Sequence, residues 1–97
     1  MSDLWLWADQ QPWGGPVRKL VAMKIAAYST QPDRIAYELT SEKIAVYAEV
    51  TVERAERVLA KLIKLGHVYR VVGAEGAGLM LGAVYRREEI VLRMGSD

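Results

Sequence analysis

Residues 40–66, TSEKIAVYAEVTVERAERVLAKLIKLG, carry two runs of helical periodicity joined by a tight turn. Thr40 or Ser41 supplies a hydroxyl to cap the first helix, and Glu42 favours its positive end. Ile44, Tyr47 and Ala48 fall at the i, i+3, i+4 spacing that makes one buried face. Thr51 caps the second helix, which ends at Gly66, a residue suited to a left-handed cap.

At about 100° per residue, Val52, Ala55, Val58, Leu59, Leu62, Ile63 and Leu65 fill one side of that second helix. Arg54, Arg57, Lys61 and Lys64 form a stripe within roughly a quarter-turn on the side away from the apolar arc. Two helices in this arrangement predict a helix-turn-helix, the unit that sets its second helix into the DNA major groove. The competing explanation is an ordinary solvated face, with Glu53 and Glu56 partly offsetting the four cations.

Many helix-turn-helix proteins share the pattern L-A-x3-G-V-S-x2-T-V-x-R-A-L-x2-L-x3-G, and Ile44, Ala45, Val50, Thr51, Arg57, Leu59, Leu62 and Gly66 lie in its register. The flanking sequence resembles the small winged-helix domains common in actinobacterial and phage replication or regulatory proteins. Those domains have a Trp-containing start and a Pro/Gly turn before an L-V-x-x-x-I-A helix. Here the matching residues are Trp5, Trp7, the PWGGP of 12–16 and the LVAMKIA of 20–26. The resemblance covers roughly residues 5–85 and implies a winged helix-turn-helix fold; for function it implies DNA binding or, as in other winged helices, protein interaction. The chain departs from the pattern at the turn, where Glu49 stands for the usual Gly, and at Arg54 and Ala55, which replace Thr and Val.

Working outward, Leu4, Trp5, Leu6, Trp7 and Trp13 form a dense apolar patch ahead of the first expected helix. This arm packs back over the domain, or Trp5, Trp7 and Trp13 join two subunits, or the rings stack on bases, a reading that Asp3 and Asp9 oppose by repelling phosphate. Pro16 is placed as the first residue of a helix to about Ser29, apolar on most sides, with Arg18, Lys19 and Lys24 toward water. Ile35–Leu39 has strand length. Beyond Gly66, HVYRVV and LMLGAVY read as two strands joined by GAEGAG, a hairpin wing whose only loop charge is Glu75. The expected organisation is one α+β domain over 1–97: a Trp-rich arm (1–15), a three-helix core (16–66), a wing (67–87) and a tail (88–97).

Composition narrows the function. The chain has 97 residues, 52% hydrophobic and 26% charged, with a net charge of +1, so affinity for nucleic acid must come from uneven placement of charge. It has no Cys and one His, which excludes thiolate chemistry and the usual zinc sites, and the acids lack calcium-loop spacing. A Ser-His-acid set would need His67, directly after a helix-ending Gly on a strand, where a structural role fits better. No enzymatic activity, cofactor or metal is therefore expected. The amino terminus carries acids where a secretory signal carries Lys or Arg, and no apolar run reaches membrane-span length, so a cytoplasmic protein is expected. The expected function is sequence-specific binding of double-stranded DNA, as a small bacterial or phage transcriptional regulator or replication accessory. The DNA-contacting residues would be Thr51, Glu53, Arg54, Arg57, Lys61, Lys64, Arg70, Arg86 and Arg87, in a homodimer formed through the arm. The alternative is a winged-helix adaptor that binds protein, including a phage protein directed at a host factor.

Overall fold

The computed structural model describes residues 3–30 and 33–82. Its elements are α1 (Asp3–Asp9), α2 (Pro16–Tyr28), β1 (Ser29–Thr30), β2 (Ile35–Tyr37), α3 (Ser41–Ala48), α4 (Val52–Lys64), β3 (Val68–Gly73) and β4 (Gly76–Leu81). The strands form one antiparallel sheet in the order β1-β2-β4-β3. Helix α2, strand β2, helices α3 and α4 and the β3-β4 hairpin together make the α+β, winged helix-turn-helix-like arrangement. The end of the expected wing, with Arg86 and Arg87, and the tail lie outside the described residues.

Each helix boundary has a local cause. Pro16 begins α2, where a missing N–H costs nothing. The buried Ser29 closes that helix by donating its hydroxyl to the Ile25 carbonyl at 2.6 Å. Of the two candidate caps for α3, Thr40 takes the position, and its Oγ1 accepts from the Lys43 N–H at 3.3 Å. Thr51 caps α4 as expected, accepting from the Arg54 N–H at 3.2 Å. At the far end, His67 N–H reaches the Leu62 carbonyl at 2.9 Å and Gly66 N–H the Ile63 carbonyl at 3.0 Å, with Gly66 at φ 78°. These two bonds are the Schellman closure that a glycine makes cheap.

The turn between α3 and α4 uses the same closure without the glycine. Val50 N–H bonds the Ala45 carbonyl at 3.1 Å and Glu49 N–H the Val46 carbonyl at 3.3 Å, with Glu49 held at φ 57°, ψ 44°. The departure at Glu49 is thus absorbed by a left-handed backbone, and the tight turn survives.

Ile25, Ile44, Leu62, Leu81, Val21 and Val68 are fully buried, and they join α2, α3, α4 and the sheet into one core. Burial of such a side chain stabilises by about 1.5–3 kcal/mol. Three residues expected on buried faces differ. Tyr47, grouped with Ile44 and Ala48, is 38% exposed, on the side of α3 where the Lys24 ammonium lies over its ring. Leu20 is only half-buried, because it shares its flank of α2 with Lys24 and the exposed Ala27. Leu65 is 46% exposed, because it caps α4 and has left the helical face that buries Leu62.

The Trp-rich stretch contains a helix, α1, where an irregular arm was expected. Its Leu4 and Ala8, one turn apart, bury one face against α2. Trp13 then folds beneath, its indole N–H donating to the Ala8 carbonyl at 2.7 Å. Its ring meets Trp7 at 6.0 Å and His67 at 5.8 Å, both edge to face. An ion pair of Asp9 with Lys19 at 3.3 Å also links α1 to α2, but it is exposed and contributes little.

The glycine-rich GAEGAG, expected to be a loop, is mostly strand. Only Ala74 and Glu75 form the turn, with Gly76 at φ 110° after it. Gly73 and Gly78 are needed for a different reason: a Cβ on Gly73 would overlap the Tyr37 hydroxyl, and one on Gly78 the Ile35 side chain. Ile35 and Tyr37 of β2 lie across these bare backbones and cover the hairpin. Tyr37 is held there by its hydroxyl, which donates to Asp33 Oδ2 at 2.5 Å, while Ile35 N–H donates to Asp33 Oδ1 at 3.1 Å.

Candidate nucleic-acid interface

Helix α4 has 13 residues, so it spans roughly 20 Å. Ala55, Leu59 and Leu62 anchor it to the core, and Val52, Val58 and Ile63 pack at the margins. That anchoring turns Arg54, Arg57, Lys61 and Lys64 outward, and all four are exposed. Thr51 and Glu53 are exposed at the start of the helix. Glu53, Glu56 and Ala60 lie on one flank of the stripe.

Taken among its own four cations the stripe is unfavourable for the isolated helix, with Glu53 and Arg57 the one opposite-charge i, i+4 pair to offset it. Arg54/Arg57, Arg57/Lys61 and Lys61/Lys64 are like-charge pairs at i, i+3 or i, i+4, each costing a few tenths of a kcal/mol. None of the four cations is ion-paired among the described residues, where the ion pair formed is Lys19 with Asp9. Lys61 and Lys64 sit in the last turn, where the helix dipole favours cations. Arg54 lies in the first turn, where the dipole opposes it by about 0.3–1 kcal/mol. Helix stability thus accounts for the two lysines and not for Arg54.

Arg70 is exposed on β3, but it is not brought to the stripe. It lines a groove of 430 Å³ together with Thr40 and Ser41 at the start of α3, Leu59, and residues of both wing strands. None of Arg54, Arg57, Lys61 or Lys64 lines that groove. The wing tip offers Glu75 and no cation. Val72, beside Arg70, is 84% exposed.

A second surface went unnoticed in the sequence. Lys24 Nζ lies 5.0 Å from the Tyr28 ring centroid and 4.8 Å from that of Tyr47, and Lys43 Nζ lies 5.7 Å from Tyr28. The signal was present in the spacing: Lys24 and Tyr28 stand four apart on α2, as Lys43 and Tyr47 do on α3, so each pair shares a helix face.

Elsewhere, the hydrogen bond between Asp33 and Tyr37 shifts the protonation of both groups. The Tyr37 hydroxyl, and then the Ile35 N–H, hold the Asp33 carboxyl below its ordinary value, and the same bond pushes the Tyr37 phenol up. Among the described residues no group of three or more His, Asp or Glu is placed to hold a metal ion, and no helix is long and apolar enough to cross a membrane. No family model, curated protein or solved structure matches the chain.

Proposed function

We propose that this domain binds double-stranded DNA through α4, as a small bacterial or phage transcriptional regulator or replication accessory. The observation that supports this reading is the exposed, self-repelling stripe of Arg54, Arg57, Lys61 and Lys64, in which Arg54 stands against the helix dipole. A polyanion relieves both penalties at once. In a helix-turn-helix the start of the second helix reaches base edges. Arg54 and Arg57 are therefore assigned to bases, and Lys61 and Lys64 to the phosphate backbone. Glu53 orients the Arg54 guanidinium or accepts from a cytosine amine. Thr51, Arg70, Arg86 and Arg87 are assigned to phosphates.

A homodimer completes the reading, since two copies read two half-sites. Leu6, with Trp5 and Trp7 at the margins of α1, supplies the apolar contact, and Trp13 supports it from beneath. Sedimentation of Leu6→Glu as a monomer beside a dimeric parent is the expected result; a parent that is already monomeric at tens of micromolar, the range of weak dimers, refutes the dimer.

The test of the DNA reading is fluorescence anisotropy with labelled duplex over a series of salt concentrations. Loss of Lys61 or Lys64 should weaken all sequences alike and lower the salt slope by about one, whereas Arg54→Ala should cost about 1–3 kcal/mol and relax sequence preference. A folded Arg54→Ala/Arg57→Ala/Lys61→Ala/Lys64→Ala variant that binds as the parent does, at matched salt, refutes the assignment.

A further inference from the structure

The outer surface of α2 and α3 forms a groove of 430 Å³ lined by Lys24, Tyr28, Glu42, Lys43, Val46 and Tyr47. Two ammonium groups converge on the one Tyr28 ring, and neither has a carboxylate partner among the described residues. The ring faces attract the ammoniums and hold them in place, but they leave the net charge uncancelled. Lys43 also donates to the Glu38 carbonyl at 3.1 Å, which fixes its position further. Val46, which lines the same groove in the last turn of α3, is 79% exposed. A β-branched residue there serves neither helix propensity nor the core.

We propose that this groove is a docking site for a partner protein segment in which two carboxylates flank an apolar side chain. The carboxylates meet Lys24 and Lys43, and the apolar side chain covers Val46 and the Tyr47 ring. Charge complementarity selects an anion. The exposed valine selects an anion joined to an apolar side chain, whereas a nucleic-acid backbone sets only polar sugar between its phosphates, and Glu42 on the rim repels a continuous line of phosphates. The site shares no residue with the α4 stripe and does not rest on the DNA reading.

The experiment is selection of a display library of short random peptides on the full chain, with counter-selection on Val46→Asp. Expected is enrichment of peptides that combine at least two acids with an apolar residue. Their affinity should fall by about tenfold or more both for Val46→Asp and for Lys24→Gln/Lys43→Gln, with circular dichroism unchanged, and should be unaffected in the quadruple α4 variant. No enrichment, enrichment of peptides without acids, or equal binding to both groove variants overturns the proposal. Displacement of a selected peptide by duplex DNA from the quadruple α4 variant would make the groove a phosphate site, and a shift in sedimentation caused by Val46→Asp alone would make it a contact between copies; either result overturns it. Failure of the parent to bind duplex DNA would bear on α4 only.

Discussion

Replacing Glu49 by Gly should make the domain more stable, which few substitutions at a helix-turn-helix junction do. Glu49 sits at φ 57°, ψ 44°, and its side chain makes no hydrogen bond or ion pair among the described residues. A left-handed backbone costs a residue with a Cβ about 1–2 kcal/mol. Glycine removes that cost but loses about 0.5–1 kcal/mol to the greater freedom of its unfolded chain. The carboxylate at the negative end of α3 adds an unfavourable term of about 0.3–1 kcal/mol, which glycine also removes. The net expectation is a gain of about 1 kcal/mol, or a rise in Tm of about 4–8 °C for a domain of this size. Glu49→Ala separates the two causes, since it removes the carboxylate and keeps the strained backbone, and it should gain only a few tenths of a kcal/mol. Urea unfolding followed by tryptophan fluorescence measures both variants. Glu49→Gly no more stable than Glu49→Ala would refute the left-handed turn.

Leu62→Ala should cost about 2–5 kcal/mol by the same assay, because Leu62 is fully buried between α4 and the rest of the core. Tyr37→Phe should destabilise the domain near neutrality, and the difference from the parent should shrink in both directions of a pH titration. Asp33, held below its ordinary value of 3.8, contributes stability that is present above that value and lost as pH falls through the folded value. Tyr37, raised above its ordinary value of 10.0, contributes stability that is present below that value and lost as pH rises through the folded one. Gly73→Ala should cost about 1–3 kcal/mol from overpacking and should cost less in a Tyr37→Phe background, where the overlapping hydroxyl is gone; additive effects in that double-mutant cycle would contradict the contact.

The parts of the fold legible in the sequence were those set by local chemistry. Thr51, Gly66 and the i, i+3, i+4 spacing of Leu59 and Leu62 marked α4, and Pro16 marked the start of α2, because caps and periodicity act within a few residues. What escaped depended on partners distant in the chain. The α1 helix is short, and its LWLW reads equally as alternation; only packing of Leu4 and Ala8 against α2 selects the helix. Gly73, Gly76 and Gly78 suggested a loop because nothing nearby announced that Ile35 and Tyr37 would lie over two of them. The stripe on α4 was visible from spacing alone, since a single helix displays it. The Lys24–Tyr28–Tyr47 cluster needed two helices to be brought side by side.

The cover of Ile35 and Tyr37 over Gly73 and Gly78 ties four positions into one unit of size. Sequence drift at any one of them is therefore conditional on the others. An alanine or serine at 78 becomes tolerable only after position 35 has become smaller, and one at 73 only after position 35 has become smaller and the hydroxyl at 37 has gone. Among relatives of this chain, bulk at 35 and 37 should accompany glycine at 73 and 78, and the four should change together or stay as they are. The wing would then carry a lineage record in its interior rather than at its tip, where Ala74 and Glu75 are exposed and free to vary.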